Sequence, residues 1–408
     1  MKYIILLGDG MADEPLECLG NRTPLQAAHT PAMDRLAQLG RSGLLHTIPE
    51  GMPPGSEVAN LSVLGYDVPQ VLEGRGSLEA ASMGIDIEAG EMALRCNLIT
   101  VQHGKIKNHS AGHISSGEAD ELIRYLNEHL ATDAVRFYAG VSYRHLLKIK
   151  GGRKQLLCTP PHDVPGAEFA KLLVRSQAPE AQSTAGLLNN LILRSQDLLE
   201  NHPVNLRRKA AGKDPANSIW PWSPGYKPQM QRLQDLYPIR SGAVISAVDL
   251  IRGIGVYAGL ENIPVPGATG LYDTNYEGKA HAALAALREK DFVYLHVEAS
   301  DEAGHEGDAA LKVRTIEYLD QRILNTLLTE TGKWREPVAI ALLPDHPTPC
   351  RLKTHTRAPV PFVIYRRGDA PDNVTRFDEF AARQGAYGLL KNDEFIRSFM
   401  GMGARPKK

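Results

Sequence analysis

The sequence predicts an α/β protein with a covered, mostly parallel sheet, interrupted by a smaller inserted α+β domain. Short apolar runs bounded by turn residues are the first indication. "YIILLG" (3–8), "GAVISAV" (242–248), "DFVYLHVE" (291–298), "PVAIALLP" (337–344) and "PFVIYR" (361–366) are apolar without alternation, as strands buried on both faces are. Helical patterns between them are the second: "TPAMDRLAQLG" (30–40), "YEGKAHAALAALREK" (276–290) and "ALKVRTIEYLDQRILNTLLTE" (310–330). The third is a change of character in the middle. There a strand-like "EMALRCNLITV" leads through the polar "QHGKIKN" into the helical "GEADELIRYLNEHLA". A strand–turn–strand, "YRHLLKIKGGRKQLLCTP", and a long helical stretch, "EAQSTAGLLNNLILRSQDLLE", follow. Residues 91–211 are therefore assigned to the insert, and residues 1–90 and 212–408 to a discontinuous core.

Composition narrows the function. Apolar residues make up 43% and charged residues 23%, which excludes disorder. With 46 basic against 47 acidic residues the net charge is −1, no footprint for nucleic acid or an anionic membrane. An anionic partner must be small and held by a local cluster. Cys18, Cys96, Cys158 and Cys350 are scattered without CxxC spacing, so neither a zinc ribbon nor a disulfide framework is expected. The apolar run in "MKYIILLGDG" is too short for a signal peptide, and no stretch approaches the ~18 apolar residues of a membrane span. A cytoplasmic protein is expected, with its oligomeric state left open.

In α/β proteins ligands gather at the carboxyl ends of strands. Asp9 follows "YIILLG" between two glycines that permit a sharp turn. "VEASDEAGHEGD" (297–308) offers Asp301 and His305, an i,i+4 pair on one face if helical. "LLPDHPTPCRLKTH" (342–355) offers Asp345, His346 and His355. Each has an ordinary reading as a turn, cap or surface residue, but three such accidents at three strand ends are improbable together. Oxygen and imidazole donors without thiolate suit Mn²⁺, Zn²⁺, Co²⁺ or Mg²⁺. "GMPPGSEVANLSVLGYD" (51–67) adds Ser56 at a helix start. A serine there is an ordinary N-cap. The same place stabilises an anion, and a nearby divalent ion would make the hydroxyl a nucleophile.

These segments, with "NHSAGHIS", "ANSIWPWSPG", "GAVISAVDLIRGIG" and "DTNYEGKAHAAL", together resemble the archaeal-type cofactor-independent phosphoglycerate mutases of the alkaline phosphatase superfamily. The resemblance runs nearly end to end. It implies an alkaline-phosphatase-like core with a cap domain, two divalent metal ions (Mn²⁺ foremost), and a small phosphorylated substrate. Ser56 would match the nucleophile that becomes phosphoserine. Asp9, Ser56, Asp345 and His346 would match the ligands of one metal, and Asp301, His305 and His355 those of the other. Lys279 would match a phosphate-facing lysine, against its ordinary reading as an exposed helix lysine. His113, Arg144 and Asp163 of the insert fall in family-like motifs that hold glycerate, with a structural role as the alternative.

The implied activity interconverts 3-phosphoglycerate and 2-phosphoglycerate without 2,3-bisphosphoglycerate. Two alternatives stand beside it. One is a related metal-dependent phosphotransferase with another acceptor, such as homoserine; the chain lacks a GxxxxGK phosphate loop for ATP. The other is a non-enzymatic metal-binding relic, against which the retention of every ligand type and the serine argues.

Overall fold

The computed structural model describes residues 1–403. The chain divides into two compact units, residues 1–72 with 229–408, and residues 73–228.

The first unit is built on an eight-stranded sheet. Its strands are β1 (Lys2–Gly8), β2 (Arg41–His46), β3 (Gly242–Ile245), β4 (Glu261–Asn262), β5 (Phe292–Val297), β6 (Val338–Leu343), β7 (Val360–Tyr365) and β8 (Leu389–Lys391). The order is β4-β3-β5-β1-β6-β7-β2-β8. All neighbours are parallel except where β7 runs antiparallel to β6 and β2. Every residue of β1, β5 and β6 is buried, as expected for central strands covered on both faces.

One face packs Ile4, Leu6, Val293, Leu295, Ile340 and Leu342 against apolar residues of the helices Pro31–Leu39, Tyr276–Glu289 and Ala309–Tyr318. On the other face Tyr294 reaches Asn60 of the helix Ser56–Val63, and Tyr3 meets Phe399 edge-on at 5.5 Å. The helical pattern over 310–330 becomes two α-helical stretches joined by a π-helical turn, Leu319–Leu324. That turn places buried Asp320 against the start of another helix. Its two carboxylate oxygens accept the free N–H groups of Met33 at 2.7 Å and Ala32 at 3.2 Å. A cap supplied from 287 residues away is invisible to any local sequence pattern.

The second unit is α+β. An antiparallel sheet runs in the order Lys105–Asn108, Glu91–Gln102, Arg144–Lys150, Val135–Tyr138, and Ser218–Gly225 also pairs with Glu91–Gln102. The helices Ser116–Leu130 and Gln182–Leu199 pack on it through Leu122, Leu126, Leu188 and Ile192. Ser115 and Glu118 form a reciprocal capping box that starts the first of these.

The boundaries differ from those expected. The unit spans 73–228, not 91–211, because segments on both sides belong to its sheet. Ser218–Gly225, "SIWPWSPG", pairs along Ala93–Ile99 despite its two prolines. Residues 73–90 enter through close backbone approach: a Cβ at Gly76 would lie 2.4 Å from Ala93 O, and one at Gly74 would lie 2.3 Å from Pro224 O. The glycines of "GRGSLEAAS" are thus packing residues. The expected strand–turn–strand over 143–160 is present, though its two strands do not pair with each other. Leu156–Leu157 pairs with Arg175–Ser176, while Arg144–Lys150 pairs elsewhere. No described helix is long and apolar enough to cross a membrane.

Asp320→Ala leaves two buried N–H groups without their partner. It is expected to lower the unfolding free energy by about 1–3 kcal/mol per orphaned group at most, read as a lower urea midpoint.

Candidate metal centre and active site

The three central strands end level. Gly8 of β1 pairs with Val297 of β5, and Leu7 with Leu343 of β6. The turn after β1 passes between the neighbouring loops with no space to spare. Gly10 adopts φ 62°, and a Cβ there would lie 2.7 Å from Asp301 Cα and from Thr348 Oγ1. This packing brings the carboxylates after all three strands together.

Asp9, Asp345 and His346 form one group, all fully buried. His346 Nε2 lies 3.4 Å from Asp345 Oδ2 and 3.6 Å from Asp9 Oδ1. Asp345 is held by Gly10 N (3.2 Å) and its neighbour His346 N (2.8 Å) on Oδ1, and by Asn60 Nδ2 (3.0 Å) on Oδ2. Asp9 Oδ1 has no hydrogen-bond partner among the described residues. Ser56 is the first residue of its helix, not the N-cap. Gly55 holds that position with no side-chain cap, and Ser56 Oγ lies 3.2 Å from His346 Nε2.

Asp301, His305 and His355 form the second group. The segment Ala299–Glu306 is helical and stops at Gly307, whose φ of 76° is a left-handed cap. The i,i+4 spacing sets His305 Nε2 3.2 Å from Asp301 Oδ2, and His355 Nε2 lies 3.3 Å from Asp301 Oδ1. The two Nε2 atoms face each other at 2.9 Å. His305 Nδ1 donates to Lys353 O at 3.0 Å, so His305 Nε2 is the free ligand atom of the neutral ring. The rings of His346 and His355 lie tilted to each other with centres 3.9 Å apart, and Asp301, His346 and His355 also converge, so the two groups are contiguous.

A third convergence involves residues not singled out in the sequence. His296 Nε2 donates to Asp9 Oδ2 at 2.9 Å, and its Nδ1 accepts from Ser246 Oγ at 3.1 Å. Glu298 Oε2 lies 3.6 Å from His296 Nε2 and is buried without a hydrogen-bond partner among the described residues. Lys279 is fully buried, not an exposed helix lysine, and its Nζ donates to His296 O at 3.1 Å. A period-two signal marked these residues. Tyr294, His296 and Glu298 interrupt an apolar strand at every second position, the spacing of one sheet face. Asn60 carried a similar mark, one turn after Ser56 in an apolar helix.

Electrostatics show what the arrangement lacks. Burial, and then repulsion from Asp345, Glu298 and Asp301, raises the Asp9 carboxyl well above its ordinary range. Burial and Asp301 push Glu298 up to about 8. Burial also opposes ionisation of Asp301, but hydrogen bonds from His305 and His355 outweigh it and hold that carboxyl low. Burial draws Lys279 down to about 8. Buried carboxylates crowded this closely require protons or cations between them. The donors are carboxylates and imidazoles, so divalent metal ions fit.

The second unit carries His113, Arg144 and Asp163, all exposed. Ring contacts link them. His113 and His109 lie edge-on to Tyr143 at 6.4 and 5.9 Å, and Arg144 lies over the same ring at 6.0 Å. His162, 3.5 Å from Asp163, contacts His109 and Trp222. Arg95 lies over Trp222 and pairs with Glu79 at 2.9 Å. Burial holds His109 and His162 below the usual imidazole range. Arg95, His109 and His162 were not singled out in the sequence, although His109 shares "NHSAGHIS" with His113 and His162 is adjacent to Asp163.

A family model for 2,3-bisphosphoglycerate-independent phosphoglycerate mutase matches residues 37–205. A Methanosarcina acetivorans protein named as such a mutase is 53% identical, over 97% of this chain and 98% of its own. The solved structure of a Pyrococcus horikoshii protein aligns with a TM-score of 0.83 and 29% identity, covering 100% of this chain and 99% of that one. The cofactor-independent phosphoglycerate mutase of Thermoplasma acidophilum aligns with a TM-score of 0.67 and 25% identity, covering 99% of this chain and 100% of that one.

The Asn60 side chain touches both the serine segment and Asp345, and its Oδ1 accepts from Tyr294 OH at 2.6 Å. Asn60→Ala is expected to lower stability by about 1–3 kcal/mol in urea unfolding, by stranding the Tyr294 hydroxyl.

Proposed function

We propose, from the premise that this chain belongs to the 2,3-bisphosphoglycerate-independent phosphoglycerate mutase family, that it interconverts 3- and 2-phosphoglycerate through a phosphoserine on Ser56. The observation that carries this reading is the placement of the Ser56 hydroxyl. It is released from capping and lies 3.2 Å from His346 Nε2, beside two contiguous groups of carboxylate and imidazole donors.

Asp9, Ser56, Asp345 and His346 would hold one divalent ion, and Asp301, His305 and His355 the other. When bound, such ions lower the pKa of a hydroxyl and offset the charge of a transferring phosphoryl group. The Ser56 oxygen forms a bond to phosphorus as the bond to the substrate's 3-oxygen breaks, and the serine proton ends on the glycerate released. The glycerate 2-hydroxyl then attacks the phosphoserine, and the proton returns to Ser56. Lys279, buried and with a pKa lowered to about 8, is assigned to the phosphate. Mn²⁺ is the ion we assign first.

To the inserted unit we assign the holding of glycerate through His113, Arg144 and Asp163. The planar guanidinium of Arg144 suits a carboxylate. Retaining glycerate between the two half-reactions separates a mutase from a phosphatase, because a phosphoserine open to water hydrolyses. The names of the relatives favour glycerate over another acceptor such as homoserine.

Ser56→Ala is expected to abolish interconversion while the protein still binds Mn²⁺. Acid quenching with ³²P-labelled 3-phosphoglycerate should leave label on wild-type protein and none on the variant. A folded Ser56→Ala protein with near-normal turnover would end the phosphoserine reading.

A second expectation concerns pH. The hydrogen bond to Asp301 pushes the His305 imidazole up to about 9 in the metal-free protein. A cation entering at pH 7 must displace that proton. Apparent Mn²⁺ affinity should therefore rise by about tenfold per pH unit from 7 and level off above about 9. Titration calorimetry in buffers of different ionisation enthalpy should show proton release at pH 7, and affinity independent of pH would exclude His305 as a ligand.

A further inference from the structure

Thr348, in the loop after β6, has no part in the reading above, yet it touches both groups. It is fully buried. Its hydroxyl donates a hydrogen bond to Asp301 Oδ1, and the same oxygen lies 3.3 Å from His346 Nδ1. A threonine hydroxyl has one proton, and an ionised carboxylate only accepts. The proton is therefore committed to Asp301. The contact with His346 then requires Nδ1–H to donate to Thr348 Oγ1. A neutral imidazole has one ring proton, so Nε2, the atom facing Ser56, Asp345 and Asp9, is left as a bare lone pair.

We propose that Thr348 is a positioning residue whose hydroxyl fixes His346 in the Nδ1–H form and orients Asp301, setting one ligand in each cation group with a single side chain. This inference deepens the two-cation reading and rests on it.

The residue is itself held from several directions. Thr348 N donates to Ala12 O at 3.2 Å, and Thr348 O accepts from Lys312 Nζ at 2.8 Å. Lys312 is fully buried, and its other two protons go to Asp13 Oδ2 at 2.8 Å and Ala12 O at 3.2 Å. All three ammonium donors are thus spent on the loops after β1 and β6. Packing closes the remaining freedom: a Cβ at Gly10 would lie 2.7 Å from Thr348 Oγ1, and one at Gly304 would lie 2.4 Å from Thr348 O. The clamp leaves the hydroxyl no other orientation that serves both neighbours.

Thr348→Val keeps the shape and removes the hydroxyl, whereas Thr348→Ser keeps the hydroxyl. Calorimetric titration with Mn²⁺ should show binding weakened about 10–100-fold in Thr348→Val and within about threefold of wild type in Thr348→Ser. Long-range ¹H–¹⁵N spectra of metal-free protein should show His346 protonated on Nδ1 in wild type and Thr348→Ser, and a mixture of forms in Thr348→Val. Thr348→Val binding Mn²⁺ as wild type does, with His346 still on Nδ1–H, would overturn the inference. So would a wild-type His346 protonated on Nε2, a result that needs no variant and no bound ion. A wild-type protein that took up no Mn²⁺ would instead sink the two-cation reading, and the spectra would still decide the role of Thr348.

Discussion

Everything at this site follows from the level ending of three adjacent parallel strands. β5, β1 and β6 stop together, so Asp9 and the segments carrying Asp301 and Asp345 emerge side by side from a fully buried sheet. A parallel sheet makes this possible because all its carboxyl ends lie along one edge. The consequence is severe repulsion. Asp9 feels Asp345, Glu298 and Asp301 in a place water does not reach, and its carboxyl is forced well above its ordinary range. Like charges gathered at such cost are tolerated where a cation is to be bound.

The chain reduces that cost by spending some donors and leaving others free. His296 and the Ser246 hydroxyl brace Asp9 from one side. Asn60, itself tied to Tyr294, braces Asp345. Lys312 ties the loops together without approaching the ligands through its own side chain, since its Nζ contacts end on Ala12, Asp13 and Thr348. What remains unpaired is informative. Asp9 Oδ1 and Glu298 Oε2 are buried without hydrogen-bond partners among the described residues. Buried polar atoms left open in an otherwise satisfied network mark where a ligand belongs.

Legibility followed locality. The central strands were readable because their apolar runs are continuous, and Asp9, Asp301 and Asp345 stood out as candidates because each follows such a run within a few residues. The i,i+4 relation of Asp301 and His305 needed only a helix, which Ala299–Glu306 supplies. Long-range relations were not readable. Asp320 caps a helix 287 residues away, and Lys312 meets Asp13 across 299. The insert boundary failed for the same reason. Ser218–Gly225 contains two prolines, which argue against a strand, and only pairing with Ala93–Ile99 explains its conformation. Gly74 and Gly76 belong to no recognisable sequence motif, and their lack of Cβ serves contact with Pro224 and Ala93.

Ser56 shows how its surroundings free a locally ambiguous residue from one of its two uses. A serine after Pro-Pro-Gly at a helix start has two uses, and they compete for the same oxygen. A cap must accept backbone N–H groups; a nucleophile must keep its lone pairs directed outward. In this chain Gly55 takes the cap position, and helices tolerate glycine there at a cost of only a few tenths of a kcal/mol relative to serine, so the sacrifice is roughly negligible. The serine is moved one residue into the helix, where its hydroxyl turns toward His346 Nε2 while the helix amino terminus still favours negative charge beside it. Asn60, one turn on, binds the Ser56 carbonyl at 2.8 Å and Asp345 at 3.0 Å, so the helix start and the end of β6 are fixed relative to each other. The cap reading is removed by a one-residue shift in helix register, which no cap preference records and which the network around Asp345 makes rigid.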